Sequence, residues 1–260
     1  MKKLLVLALA LILAVSMFTA CGEEKGYETD LSKAQDAGKL VIGYTIYEPM
    51  NYLDKDNNFV GFDTEFAQAV CEKLGLEPEF VEINWDTKFV TLDAGQIDCI
   101  WNGMTISNEV KNNCDVSKAY VKNAQVVVMS KDAIEKYADV ESLKGLKFAA
   151  EAGSAGEAAI KDNGLDANYT PVALQTDALL AVKGGQADAC VIDITMAKSM
   201  TAEGTYSTLG ISLELTTEEY GIGFRKGSDL TAKVDEIIDE LKADGTLDAL
   251  AEKYALNLAL

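Results

Sequence analysis

The chain has 260 residues, of which 42 are Asp or Glu and 23 are Lys or Arg, so its formal net charge at pH 7 is −19. Such an acidic balance argues against binding to nucleic acid or to anionic lipid headgroups. The sequence contains no histidine, which excludes a Cys/His zinc site and a histidine-based catalytic triad.

The first twenty residues are predicted to be a signal peptide and not part of the fold. Two lysines precede an unbroken apolar run over residues 4–15, and small residues lead up to Cys21. This segment resembles a bacterial lipobox, although Phe18 stands where Leu is usual. We therefore expect Cys21 to carry acyl chains such as palmitate, which would hold the protein on the extracellular face of the cell membrane, with residues 21–36 as anchor and linker. An ordinary secreted protein with a Cys near its cleavage site is the alternative.

Apolar runs and helical periodicity alternate along the rest of the chain, which predicts an α/β fold with largely parallel sheets. One helix is predicted to end at Gly75, and Asp244-Gly245 predicts a turn between the last two helices. The predicted strands cover residues 39–46, 77–83, 122–129, 146–150, 167–172 and 218–224, and the predicted helices include residues 85–94 and a stretch that follows the glycine-rich turn within residues 152–160.

One sequence pattern occurs twice, over residues 87–103 and again over residues 176–193. In each copy a helix-like stretch meets glycine, a Gln-x-Asp follows, and an apolar run then predicts a buried strand. Two half-chains built on one plan predict two similar α/β lobes. The residues just past the carboxyl ends of these strands, 102–105 and Asp193, would then face each other across a cleft.

Four cysteines lie beyond Cys21, and we expect them to act as small buried apolar residues. A bridge between Cys71 and Cys99 stays open as an alternative, although spacing alone does not favour one. The other two cysteines are Cys114 and Cys190.

Seven segments, in order along nearly the whole mature chain, resemble the extracellular solute-binding proteins of polar amino-acid ABC transporters, family 3. Among them are NGMTISNE at 102–109, GGQADACVID at 184–193 and EEYGIGFRKGSD at 218–229. The resemblance implies the type II periplasmic-binding fold, in which two Rossmann-like lobes are joined by a two-strand hinge. It also implies a monomer that closes around one amino acid or related amine and passes it to an ABC permease, with no cofactor and no metal.

The lobe boundaries are predicted from the same segments. Lobe 1 would comprise residues 37–123 together with 217–260, and lobe 2 would comprise residues 124–216. The chain would cross between the lobes as strands, which is typical of a hinge.

Five ligand-binding residues are predicted in lobe 1, four of them from the resemblance and Asn102 from its position past the end of a strand. Trp85 and Tyr47 take the positions of aromatic side chains that pack on the ligand. Gly103 and Thr105 fall where a backbone carbonyl, a hydroxyl and an N–H group serve the ligand, and Asn102 would line the cleft. For Asn102 the alternative is that its amide only satisfies turn backbone.

Two further ligand contacts are implied in lobe 2. Ser154 falls at a helix start, where N–H and hydroxyl groups meet the ligand carboxylate. Asp193 falls where a carboxylate receives the α-ammonium group, which also suits a buried Asp in need of a partner. Plain helix capping is the alternative for both residues.

One position departs from the family pattern. Val110 stands where the family has an arginine that clamps the ligand α-carboxylate. The only arginine of the sequence, Arg225, is predicted to be a surface residue. The ligand would therefore lack a free α-carboxylate, or would be held through N–H groups and a lysine such as Lys88 or Lys118.

The other carboxylates are assigned to structure or to the surface. Asp63, Asp98 and Asp188 are expected to make turn or cap hydrogen bonds. A solvated acidic rim is expected at Glu48, Glu82, Asp86 and Glu151, with Glu151 as an alternative partner for a cationic side chain.

Two other functions stay open at the level of sequence. An enzyme of the dehydratase type on this scaffold would need Glu151 or Glu48 as general acid. A ligand-sensing domain would need a separate signalling partner.

Overall fold

A computed structural model describes residues 29–260. The predicted signal peptide and Cys21 lie outside the described residues. Within residues 29–260, no helix combines the length and the apolar composition that a membrane crossing requires.

Helices and strands alternate along the described chain. The strands are β1 Lys39–Tyr44, β2 Tyr52–Leu53, β3 Phe59–Val60, β4 Glu77–Glu82, β5 Cys99–Thr105, β6 Asp115–Val116, β7 Val121–Asn123, β8 Gln125–Ser130, β9 Phe148–Glu151, β10 Tyr169–Val172, β11 Ala189–Asp193, β12 Leu209–Glu214 and β13 Glu218–Phe224. The helices are α1 Asp30–Ala37, α2 Phe62–Leu74, α3 Lys88–Asp93, α4 Asn108–Asn113, α5 Val140–Leu143, α6 Ala155–Asp162, α7 Gln175–Lys183, α8 Ile194–Ala202, α9 Asp229–Ala243 and α10 Thr246–Lys253.

Two separate sheets form the centres of two lobes. The sheet of lobe 1 has the order β4-β1-β5-β13-β6, with β7 also paired to β13, and the sheet of lobe 2 has the order β10-β9-β11-β8-β12. The predicted α/β fold with two lobes is confirmed. The expectation of largely parallel sheets is wrong, because β8, β12 and β13 run antiparallel to their neighbours. β8, β12 and β13 lie next to the segments in which the chain passes from one lobe to the other. In their sheets, β8 and β13 run opposite to the parallel strands that helices connect.

The chain passes between the two sheets at two places. Only Ala124 separates β7 from β8, and residues 215–217 separate β12 from β13. The apolar segment predicted as one strand over 122–129 is therefore two strands that belong to different sheets. This pair of short connections is the two-strand hinge.

The repeated pattern makes the same hydrogen bonds in both lobes. The Asp98 carboxylate accepts the N–H of Val41 at 3.0 Å, and the N–H of Asp98 donates to the Val41 carbonyl at 2.7 Å. In lobe 2, Asp188 and Lys147 form the equivalent pair, with both distances 2.8 Å. Each pair ties the start of a central strand to its neighbour, so the structural role expected for these two aspartates is confirmed.

Arg225 is not the surface residue that the sequence predicted. Its side chain is only 16% exposed and pairs with the carboxylates of Asp30 and Asp98. It also donates to the carbonyls of Leu92 and Ile97, at 3.2 and 2.6 Å. The guanidinium group therefore closes the end of α3 and holds α1 against lobe 1.

The four cysteines of the described chain are buried and free, so Cys71 and Cys99 are not bridged. Burial raises the pKa of the Cys71 thiol to about 12. These thiols thus behave as the apolar residues that the sequence predicted.

Candidate functional site

A cavity of about 190 Å³ lies between the two lobes, at the carboxyl ends of β5, β9 and β11. This is the edge at which ligands bind in open α/β sheets. Six of the seven predicted ligand-binding residues line it, namely Trp85, Asn102, Gly103, Thr105, Ser154 and Asp193.

Asn102 lines the cavity with an amide group that is already fully hydrogen-bonded. Its oxygen accepts the N–H and the hydroxyl of Thr45, at 3.1 and 2.8 Å. Its nitrogen donates to the Thr45 carbonyl and to the Asn51 side chain, at 2.8 and 2.7 Å. The side chain therefore serves the backbone of lobe 1, in line with the alternative considered from the sequence.

The Gly103 backbone lines the cavity and is held from behind by one buried carboxylate. Its N–H donates to the buried Asp63 carboxylate at 2.6 Å. The same Asp63 oxygen accepts from the Tyr120 hydroxyl at 3.0 Å. Burial raises the pKa of Asp63 to about 7. Asp63 thus has the structural role expected of it.

Tyr47 is placed differently from the other predicted residues, since it does not line the cavity. Its ring lies behind Gly103, where an added Cβ atom would come within 2.7 Å of Tyr47 Cε1. Its hydroxyl is hydrogen-bonded to Thr195 of lobe 2 and to the Tyr220 hydroxyl. Tyr47 therefore joins the lobes beneath the cavity wall.

Asp193 ends β11 with its carboxylate in a dense set of donors. The carboxylate accepts from Gln175 at 2.6 Å, from Gln125 and Tyr220 at 2.8 Å each, and from Asn123. Burial, together with the negative charge of Glu218, raises its pKa to about 7. The side chain makes no capping bond to α8, which leaves the capping alternative without support.

Glu218 is a cavity residue that the sequence analysis did not single out. One of its oxygens accepts from Thr105, Asn123 and Gln125, each at 2.7 Å. Asn123 and Gln125 thus donate to both Glu218 and Asp193, and the Thr105 hydroxyl is bonded to Glu218. The sequence provided only a weak indication that Glu218 belongs to the site, namely its position at the start of a strand predicted to return to lobe 1.

Ser154 stands at the N-cap of α6, at the cavity wall. Its hydroxyl oxygen accepts the N–H of Glu157 at 3.1 Å. The neighbouring N–H of Gly153 donates to the Glu157 carboxylate at 2.7 Å. The Gly153 N–H group at this helix start is therefore already bonded to Glu157.

Val110 and Lys88 are both part of the cavity lining. Val110 is buried and lines the cavity. Lys88 is 4% exposed, and its ammonium group donates to the carbonyls of Trp85 and Gly153, at 3.2 and 2.8 Å. Burial lowers the pKa of Lys88. Lys118, the other lysine considered, pairs with Asp239 and is not part of the cavity lining.

Glu151 does not belong to a solvated rim, which corrects the sequence prediction. It ends β9, it is 3% exposed, and one of its oxygens has no hydrogen-bond partner in the described structure. Burial, and then the charge of Asp193, raise its pKa to about 8. Glu82 and Asp86 are exposed as predicted.

No group of three or more Cys, Asp or Glu side chains within the described residues is arranged to hold a metal ion. The cavity instead offers carboxylates, a lysine, backbone groups and the Trp85 ring. This set is suited to a small organic molecule with cationic and polar groups.

Comparisons with known proteins agree with this geometry. Residues 40–257 match the family of bacterial extracellular solute-binding proteins, family 3. The L-cystine-binding protein TcyJ of Escherichia coli (strain K12) is 30% identical over 257 residues, which cover 96% of this chain and 92% of TcyJ.

Solved structures show the same fold. An ABC uptake transporter substrate-binding protein from Streptococcus pneumoniae, with bound histidine, has a TM-score of 0.81 and 29% identity, covering 87% of this chain and 96% of that one. The ancestral amino acid-binding protein AncCDT-1, a precursor of cyclohexadienyl dehydratase, has a TM-score of 0.80 and 32% identity, covering 86% and 98%. The resemblance predicted from the sequence is confirmed, and the chain belongs to the bacterial extracellular solute-binding proteins of family 3.

Proposed function

We propose that this protein captures a polar amino acid or a related amine in the cavity between its lobes and delivers it to an ABC importer. The observation that carries the proposal is the pair of carboxylates Asp193 and Glu218 at the cavity wall, held by shared amide donors. Carboxylates fixed in this way are ready to receive an ammonium group, which would supply the missing positive charge.

Capture would use closure of the lobes around the ligand. The proposed bodies are residues 37–123 with 217–260, and residues 124–216. Several polar contacts already bridge them, among them Tyr47 to Thr195, Glu48 to Ser199 and Lys88 to Gly153. A ligand that touches both bodies stabilises the closed form in proportion to its preference for that form.

The ligand contacts would come from the residues that line the cavity. The Trp85 ring would cover the apolar part of the ligand, and Asp193 with Glu218 would receive its ammonium group. Gly103 and Thr105 would contribute backbone groups, and Ser154 its hydroxyl hydrogen. Tyr47 and Asn102 would support this wall from behind.

The protein would act on the outer surface of the cell as a monomer, held there by acyl chains on Cys21 after removal of residues 1–20. The support is the lipobox-like sequence. Fractionation of cells that express the intact chain or a Cys21→Ala variant tests this point, since retention of the variant on membranes would speak against the anchor.

An enzymatic activity is the second candidate, because burial leaves Glu151 with a pKa of about 8 and therefore protonated at neutral pH. A general acid needs such a proton. Recovery of every bound ligand unchanged after prolonged incubation would favour the receptor. Turnover that Glu151→Gln abolishes would favour the enzyme.

The function is tested by a thermal-shift screen of amino acids, their amides and polyamines on the protein without residues 1–20. We expect a subset to raise the melting temperature. For the best compound, Asp193→Asn should lower the affinity at least about tenfold, since it removes a charge-assisted contact.

Asp132→Asn, at an exposed position away from the cavity, is the matched control and should bind normally. Equal affinity of the Asp193→Asn variant and the unsubstituted protein would remove Asp193 from the site.

A further inference from the structure

Acidic side chains outnumber basic ones in the lining of the cavity. Lys88 is the one basic side chain among the residues that line it. The acidic side chains of the lining are Glu109, Glu151, Asp162, Asp193 and Glu218. A zwitterion with an uncharged side chain would leave this imbalance unchanged, because its net charge is zero.

Among these acidic side chains, Glu151 is buried with a carboxylate oxygen that accepts no hydrogen bond from the described residues. It is 3% exposed, and one carboxylate oxygen has no partner in the described structure. Buried polar groups are normally hydrogen-bonded, so a carboxylate oxygen that the protein leaves without a partner in a cavity wall is positioned to accept a hydrogen bond from a ligand. Glu151 therefore marks a place for a donor.

Glu151 and Asp193 lie on neighbouring strand ends and are nevertheless separate binding points. Their strands, β9 and β11, pair in parallel with Ala149 opposite Cys190, so both carboxylates reach the same edge of the sheet. Asp193 is bonded to Gln175, Gln125, Tyr220 and Asn123, whereas no hydrogen bond to the Glu151 carboxylate is present in the described chain. The protein thus supplies four hydrogen-bond donors to the Asp193 carboxylate and, within the described chain, none to the Glu151 carboxylate.

The groups that would bind a carboxylate are correspondingly few. Val110 is apolar, and the Gly153 N–H is taken by the Glu157 carboxylate. Two of the three protons of the Lys88 ammonium group go to the carbonyls of Trp85 and Gly153. The chemistry of the wall thus favours cationic over anionic groups on the ligand.

We propose that Glu151 binds a second cationic group of the ligand, so that the protein takes compounds with two cationic nitrogens, one held by Asp193 and Glu218 and the other by Glu151. The inference rests on the proposed function and defines its ligand class. Diamines and amino acids with a cationic side chain share this chemistry.

Calorimetric titration with matched pairs of compounds tests the inference. One pair is 1,5-diaminopentane and pentylamine, and the other is lysine and norleucine, in which the second member lacks only the distal cation. We expect the dication of at least one pair to bind at least about tenfold more tightly than its partner. The pair that responds shows whether the ligand carries a carboxylate.

The Glu151→Gln variant keeps the shape of the side chain and removes the carboxyl group that a bound cation would hold in its charged form. We expect it to bring the affinity of the dication down to about that of its partner and to leave the partner's affinity unchanged. Glu135→Gln, at an exposed position of lobe 2 outside the cavity lining, is the matched control and should keep the preference.

Equal binding of dication and partner by the unsubstituted protein would overturn the inference, as would an equal loss of affinity for both in Glu151→Gln. In either case, binding that still depends on Asp193 would leave the proposed function intact. Failure of all amino acids and amines to bind would instead reject the proposed function and this inference with it.

Discussion

Glu151, Asp193 and Glu218 are three carboxylates in one cavity, and each meets a different set of partners. Asp193 and Glu218 share the amide groups of Asn123 and Gln125. Glu151 lies beside them with an unpartnered oxygen. Burial penalises the charged form of such groups, which raises their pKa unless donors or cations compensate. In the ligand-free protein this penalty falls most heavily on Glu151.

This arrangement predicts how stability depends on pH. The folded-state pKa is raised to about 8 for Glu151 and to about 7 for Asp193 and Asp63, above the ordinary values near 4. As the pH rises from the unfolded-state pKa values to the folded-state ones, the unfolded chain loses protons that the folded chain keeps. The free energy of unfolding therefore falls over this range. The groups that act on Glu151 include Asp193 and Asp177, which raise its pKa, and Lys88, which lowers it.

We therefore expect urea unfolding of the ligand-free protein to show a stability loss of a few kcal/mol from pH 5 to pH 8, since one pKa unit corresponds to about 1.4 kcal/mol. Glu151→Gln should flatten this slope and be more stable than the unsubstituted protein at pH 8. Glu82→Gln, at an exposed position, should not alter the slope. A slope that Glu151→Gln leaves unchanged would show that Glu151 ionises as it does in the unfolded chain.

At the scale of elements, the two copies of the repeated pattern make the same turn with different surroundings. The carboxylates of Asp98 and Asp188 each accept an N–H from a neighbouring segment. Asp98 is 4% exposed and also pairs with Arg225 and Lys33, whereas Asp188 is exposed. A buried charge pair is costly to break because the remaining partner stays buried.

The two aspartates are therefore a matched pair for a stability test. We expect Asp98→Ala to lower the free energy of unfolding by about 2–4 kcal/mol, and Asp188→Ala by about 1 kcal/mol or less. Urea unfolding followed by circular dichroism measures both. Equal losses would mean that the ion pair between Arg225 and Asp98 contributes no stability beyond that of the turn, which occurs once in each lobe.

At the scale of the whole molecule, the proposed closure would depend on contacts that join the lobes around the cavity. Ser199 of α8 donates to Glu48 at 2.7 Å, across the gap between lobe 2 and lobe 1. Ser212, also in lobe 2, donates to the Tyr137 carbonyl at 2.6 Å, within the lobe. Only the first of these two bonds can favour the closed form over an open one.

We expect Ser199→Ala to weaken ligand binding by about threefold to tenfold, since one hydrogen bond contributes about 1 kcal/mol to the closed form. Ser212→Ala should leave the affinity unchanged although it also removes one serine hydrogen bond. Calorimetric titration of the best ligand measures both variants. Equal affinities for the two would show that the contact between Ser199 and Glu48 also exists in the open form.

The sequence by itself determined the architecture, because periodicity and turn residues are local signals. The two copies of the Gln-x-Asp pattern predicted two lobes, and Gly75 and Asp244-Gly245 marked helix ends that the structure confirms. The resemblance to family 3 identified five residues that line the cavity, and the predicted position past the end of a strand added Asn102. Strand directions were beyond reach, because the same apolar run suits a parallel or an antiparallel neighbour.

Only the tertiary structure decided which polar groups are already partnered, since their partners come from distant parts of the chain. Arg225 pairs with Asp30 and Asp98 and is therefore not a surface residue. Glu218 enters the cavity because β13 returns to lobe 1 beside Asp193. Glu151 was predicted to be solvated because it is a charged residue, yet both lobes enclose it, and that enclosure removes the water that would otherwise satisfy its charge.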